Sequence, residues 1–126
     1  MDIRKLDDTF WVAPQIETDR MEALAAAGVR SIISNRPDAE ETAQPAFATI
    51  EDAARAAGIA VAHVPVVPGE ITQADVDAFA AALDRLPGPA LGFCKTGKRA
   101  ATLWAKARND ARSVETVLAS APVTSI

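Results

Sequence analysis

Ala90-Leu91-Gly92-Phe93-Cys94-Lys95-Thr96-Gly97-Lys98-Arg99 passes from a short apolar run, through one cysteine, into a cluster of cations. A helical segment follows from Arg99 to Arg108 and carries Leu103 and Trp104. The apolar run suits a central strand, which delivers the Cys94 sulfur to the end of a sheet. From there the chain must wrap back to start a helix, and Gly97 allows a backbone conformation that other residues resist. In such a loop successive N–H groups can face one concavity, and the helix adds its positive end. Lys95, Lys98 and Arg99 add cationic charge. All of these favour thiolate over thiol, so Cys94 is expected to ionise below the ordinary cysteine range. The same groups bind an oxyanion in front of the sulfur. The planar fork of Arg99 can hold two oxygens at once, and the Thr96 hydroxyl can donate to a third. An inert core cysteine has no need of Lys-Thr-Gly-Lys-Arg directly after it.

Upstream, short apolar runs alternate with helical patterns. Phe10–Val12 reads as a strand after an Asp-Asp-Thr turn. Asp19–Ala27 reads as a helix capped by Asp19 and stopped at Gly28. Val29–Ser34 is a β-branched strand, Pro45–Ala57 a helix ended by Gly58, and Ile59–Val64 a second buried strand. Pro65, Pro68 and Gly69 force an irregular loop. Thr72 then caps a helix in which Val76, Phe79, Ala80 and Leu83 recur at helical spacing. Pro87-Gly88-Pro89 breaks it, and Ser113 caps a last helix through Leu118. The order β-α-β-α-β-α-β-α-α predicts an α/β fold: a single domain over residues 1–126, with a mostly parallel central sheet flanked by helices. Ligands of such sheets bind at the carboxyl ends of the strands, where Cys94 is expected.

Composition narrows the function. The chain has 126 residues, 49% of them apolar, enough for one core. A net charge of -4 and only 5% aromatic residues argue against nucleic acid as a partner. No apolar run is long enough to span a membrane, and the start of the chain has no signal-peptide core. One cysteine cannot form an internal disulfide, which points to the reducing cytoplasm. One histidine and one cysteine cannot build a metal cluster, and no cofactor is called for. Gly92, Gly97 and Lys98 stand at the spacing of a nucleotide-binding loop, but Arg99 replaces the hydroxyl residue that would hold magnesium.

Ser34-Asn35-Arg36-Pro37-Asp38-Ala39-Glu40, His63-Val64-Pro65-Val66 and the Cys94–Arg99 loop together resemble a small bacterial family, the phosphatase-like domain of beta-lactamase-hydrolase-like proteins. The resemblance covers roughly Ile3 to Ala121. It implies the fold of dual-specificity and other cysteine-based phosphatases. Relatives occur fused to persulfide dioxygenases of the metallo-β-lactamase fold or to sulfide-oxidising enzymes, and some are described as sulfurtransferases, others as phosphatases.

Both chemistries use Cys94 as nucleophile and Arg99 as anion holder. Three departures from the phosphatase pattern favour sulfur transfer. Four residues, Lys95, Thr96, Gly97 and Lys98, separate Cys94 from Arg99, where tyrosine phosphatases have five; the shorter loop resembles that of rhodaneses. Ala100 stands where those phosphatases carry Ser or Thr. The stretch Val64–Ile71 contains no Asp to act as general acid, only Glu70. The expected activity is therefore a sulfurtransferase passing sulfane sulfur through a Cys94 persulfide. Its partners would be a glutathione-type thiol or persulfide, or thiosulfate and sulfite, with a persulfide dioxygenase or sulfide-oxidising enzyme nearby. The alternative is a cysteine-dependent phosphatase acting through a phosphocysteine. His63 is a candidate to support the cysteine loop, and Asn35 and Arg36 to rim the pocket, with Arg36 on a carboxylate or sulfonate of the substrate.

Overall fold

The computed structural model describes residues 1–126. Six strands form one sheet: β1 (Asp2–Lys5), β2 (Phe10–Ala13), β3 (Ser31–Ser34), β4 (Ala60–His63), β5 (Ala90–Phe93) and β6 (Val123–Ser125). Their spatial order is β4-β3-β5-β2-β1-β6. The four inner and left-hand strands, β4, β3, β5 and β2, run parallel, while β1 pairs antiparallel with both β2 and β6. The helices are α1 (Met21–Ala26), α2 (Phe47–Ala56), α3 (Gln73–Arg85), α4 (Lys98–Ala107) and α5 (Val114–Ser120). None is long and apolar enough to cross a membrane.

Residues alternate between two cores on the two faces of the sheet, as the period of two in a strand requires. Phe10, Val12, Ile33 and Ala62 face α3, α4 and α5, meeting Val76, Phe79, Leu103 and Trp104. Trp11, Ala13, Ile32, Val61, Leu91 and Phe93 face α1 and α2, meeting Met21, Leu24, Ile50 and Ala54. The parallel strands are buried on both sides, which is why they read as continuous apolar runs.

The mostly parallel sheet and its helices match the sequence reading. Thr72 caps α3 in a reciprocal box with Asp75, and the Ser113 hydroxyl accepts from the Thr116 N–H at the start of α5. Two features differ. Asp19 does not cap α1; it lies within a 3-10 turn, Thr18–Arg20, that leads into the helix without a side-chain cap. β1 and β6 extend the sheet beyond the strands read from the sequence. Both are short: β1 forms a hairpin with β2 and pairs on its other side with β6, the edge strand, which comes from the opposite end of the chain.

Gly92 fixes how closely α4 approaches the sheet. A Cβ there would come within 2.5 Å of the Phe10 ring and 3.2 Å of the Ala100 Cβ. Gly92 lies inside β5, so its part is packing, not the opening of a nucleotide loop. Gly92→Ala is expected to destabilise the protein by about 2 kcal/mol, the usual range for overpacking a full core, lowering Tm by roughly 5–10 °C. Thermal unfolding checks this; an unchanged Tm would mean that α4 is free to shift.

Candidate active site

The carboxyl ends of β2, β3 and β5 lie side by side, with Ala13 and Ser34 both in register with Phe93. The segments leaving these ends, and the one leaving β4, build the site. Cys94 follows β5 directly and is fully buried. The loop turns at Gly97, whose φ of +94° suits a residue without a side chain; a Cβ there would also press to 3.3 Å from the Ala13 carbonyl oxygen. The Gly97 N–H points at the Cys94 sulfur, 3.1 Å away. The N–H groups of Lys95, Thr96 and Arg99 have no acceptor within the protein, while that of Lys98 donates to the Thr96 hydroxyl. Helix α4 begins at Lys98, so its unpaired N–H groups and positive end lie beside the sulfur.

Arg99 stands in the first turn of α4 and is 8% exposed. Its Nη1 donates to Glu40 Oε2 at 2.8 Å and to the Val66 carbonyl at 3.0 Å, and its Nη2 donates to Glu40 Oε1 at 2.8 Å. A guanidinium has five N–H donors. The Nε–H and one Nη2 hydrogen remain, and they share one edge of the fork. Burial works against the charge on Arg99, and the Glu40 hydrogen bonds and the nearby Cys94 sulfur outweigh it, so its pKa is raised.

Glu40 joins two buried arginines. Arg36, 4% exposed, gives its Nε–H to Glu40 Oε1 at 2.9 Å and its Nη1 to Gln15 Oε1 at 2.9 Å. Arg36 Nη2 stands 3.2 Å from Glu41 Oε1 but too obliquely for a hydrogen bond, so that pair is purely electrostatic. Glu41 also pairs with Lys95. The Arg99 hydrogen bond, opposed by burial and aided by Arg36, holds the Glu40 carboxyl below its ordinary 4.5. A depressed carboxyl pKa contributes stability that is present above the unfolded value and lost as the pH falls through the folded one. Glu40→Gln is therefore expected to lower stability near neutral pH by about 2 kcal/mol, between the cost of breaking a buried pair and that of a screened one. It should also flatten the loss of stability below pH 4.5. Urea unfolding at several pH values measures both; parallel pH profiles for the two proteins would refute the assignment.

The sequence-derived site residues fall into three groups. Cys94, Lys95, Thr96, Gly97, Lys98 and Arg99 form one loop. Its exposed members, Lys95, Thr96 and Lys98, line a cleft of about 620 Å³ between α4 and the turn Val67–Glu70. Arg36, Asn35 and His63 lie behind it. His63 Nε2 is 2.8 Å from the Arg36 carbonyl oxygen, and its ring stacks on Phe47 at 4.3 Å. Asn35 is fully buried and ties the ends of three strands, donating from Nδ2 to the Val64 carbonyl and from its N–H to the Phe93 carbonyl, and accepting the Val66 N–H. Arg36 therefore reaches Glu40 and Gln15 and does not rim the cleft. Glu70 stands apart: it is exposed at the end of a turn in which Gly69 has a φ of +76°, and its side chain does not line the cleft. Sequence reasoning gave no role to Glu40, Gln15 or the Val66 carbonyl. Only the spacing of Glu40 four residues after Arg36 hinted at a pair.

The family model described as "Beta-lactamase hydrolase-like protein, phosphatase-like domain" matches residues 2–111. A beta-lactamase hydrolase-like protein of Xylella fastidiosa is 41% identical over 105 residues, covering 83% of this chain and 24% of that protein. The chain thus spans about a quarter of the length of the curated relatives it matches. The crystal structure of a Neisseria meningitidis protein, proposed to be a phosphatase, is 35% identical with a TM-score of 0.82, covering 91% of this chain and 82% of that one. A Shewanella putrefaciens protein, also proposed to be a phosphatase, shares the fold at 20% identity with a TM-score of 0.79, covering 93% of this chain and 75% of that one. The fold is that of the cysteine-dependent phosphatases.

These likenesses overturn the expectation of sulfur transfer; family and fold both point to the phosphatase side. The physical reason lies in the loop. Counting residues between Cys94 and Arg99 treated the loop as a ring that shrinks with each residue lost. Instead Gly97 turns the chain sharply and α4 starts at Lys98, so Arg99 reaches back beside the sulfur with four residues intervening.

Proposed function

The chain belongs to the phosphatase-like domain family of beta-lactamase hydrolase-like proteins, and we propose that it is a phosphomonoester hydrolase in which Cys94 is the nucleophile. One observation carries this reading: Glu40 and the Val66 carbonyl take three of the five Arg99 N–H donors, and the other two, on Nε and Nη2, have no oxygen acceptor in the protein, with the Cys94 sulfur close enough to help raise the Arg99 pKa. A tetrahedral phosphoryl group seated there takes two oxygens on Arg99 and others on the N–H groups of Lys95, Thr96 and Arg99. The Cys94 thiolate attacks phosphorus in line, the bond to the leaving oxygen breaks, and a phosphocysteine forms. Water then attacks that phosphorus, releasing phosphate and restoring the thiolate. As charge shifts onto the equatorial oxygens, donors already in place stabilise it without reorganising. Glu40 is a positioning residue for Arg99, and Arg36, Gln15 and His63 hold Glu40's loop. The lone thiol suits a reducing compartment such as the cytoplasm.

The test is turnover of p-nitrophenyl phosphate followed by acid quenching and mass spectrometry. Phosphate release with a phosphoryl group recovered on Cys94 is the expected result. Release without label on Cys94, or no release, overturns the reading.

A further inference from the structure

The cleft beside the cysteine loop is lined by four cations, Lys95, Lys98, Arg99 and Lys106, and by no carboxylate. Lys98, Thr102 and Lys106 follow one another at four-residue intervals along α4, hence on one face, over about 12 Å of helix axis. Lys95 and Lys98 pair with Glu41 and Glu115, all half-exposed or more, so both pairs are screened and weak. Lys106 is exposed and has no carboxylate partner. This is more positive charge than one phosphate bound over Cys94 requires, and it extends away from the sulfur.

The cleft has no aromatic lining. Phe10, Phe79, Phe93, Trp11 and Trp104 are buried in the cores, and Phe47 stacks on His63. No ring is available to grip a phosphotyrosyl group.

A third observation concerns the leaving group. Glu70 does not line the cleft, and Glu40, held ionised by Arg99, has no proton to give. No carboxyl group lines the path by which a leaving group departs. An alkoxide leaves poorly without a proton, whereas a phosphate leaves as a stable anion.

We propose that the substrate is a phosphoric anhydride, its terminal phosphoryl group over Cys94 and the second phosphate in the Lys98–Thr102–Lys106 cleft. This rests on the Cys94 phosphocysteine mechanism proposed above and changes the leaving group from an ester oxygen to a phosphate. Thiolate attack breaks the P–O–P bridge, the bridging electron pair leaves with the second phosphate, and the lysines receive that anion. Water then hydrolyses the phosphocysteine, so one anhydride and one water give two phosphate groups. No oxidant, reductant or acid catalyst is consumed.

The test compares inorganic pyrophosphate, ADP and p-nitrophenyl phosphate as substrates of the full chain; ADP separates an organic diphosphate from the inorganic one. kcat/KM for at least one diphosphate should exceed that for p-nitrophenyl phosphate by about tenfold or more, and Lys106→Ala should lower that ratio by about tenfold, the equivalent of one ion contact. In parallel, calorimetry on Cys94→Ser should show pyrophosphate binding more tightly than phosphate, with the gap lost on adding Lys106→Ala. Cleavage of p-nitrophenyl phosphate through Cys94 with no preference for a diphosphate overturns the anhydride proposal and leaves the phosphatase standing. Equal binding of phosphate and pyrophosphate, or a gap that survives Lys106→Ala, overturns it as well. Absence of Cys94-dependent release from all three compounds overturns both.

Discussion

Cys94→Ser is expected to reduce phosphate release from p-nitrophenyl phosphate to background, a loss on the order of 10⁴-fold or more in kcat, as when other covalent nucleophiles are removed. The substitution changes one atom in a fully buried position. The Gly97 N–H that now points at sulfur can meet the serine oxygen instead, so the loop keeps its shape. Arg99, the lysines and the free N–H groups stay in place, and phosphate binding should persist within a few-fold. The ordinary thiol ionises near 8.5; an alkyl hydroxyl does not ionise in the working range, and no neighbouring side chain is placed to take its proton. Kinetics and phosphate binding together check this. A variant that retained turnover would place the nucleophile elsewhere.

Arg99→Ala should lower kcat/KM by roughly 10³-fold, the upper end of what removing one preorganised oxyanion donor costs, because two charge-assisted N–H donors leave together. Most of the loss should fall on kcat, since the equatorial oxygens gain charge in the transition state. Arg99→Lys should recover little. A lysine offers one compact ammonium where the site uses a fork, one edge on Glu40 and the other toward the sulfur. Stability falls too, because Glu40 loses its principal partner and the Val66 carbonyl loses its donor. Circular dichroism must therefore accompany the kinetics. Near-complete activity in the lysine variant would show that charge alone, not the fork, holds the phosphoryl group.

What could be read from the sequence is what local spacing encodes. The Ala90–Arg108 stretch announced a strand, a turn at glycine and a helix, and the apolar alternation upstream supplied the parallel sheet. Thr72 and Ser113 were legible as caps because a cap is decided within four residues. β6 was not legible, since its pairing joins Thr124 to Ile3, and β1, which pairs with both β6 and β2, is a four-residue strand with charged residues at three of its positions. Glu40 escaped for the same reason as β6: its carboxylate meets Arg99 across 59 positions of chain. Arg36, read as a substrate contact, is turned inward by that same carboxylate. The preference for sulfur over phosphorus failed because a residue count in a loop says little until the turn angle at Gly97 is known.

The place of β5, between β2 and β3, has a consequence for the chemical lifetime of the protein. The strand that carries Cys94 is hydrogen-bonded on both sides and buried on both faces. Such strands exchange their amides only when the whole domain opens. The fully buried thiol is therefore not uncovered by fraying at a sheet edge. Bulky alkylating agents must therefore wait for global unfolding, and smaller ones must come through the anion cradle. A small anionic alkylator such as iodoacetate enters by the route the substrate uses, and phosphate in the cradle shuts it out.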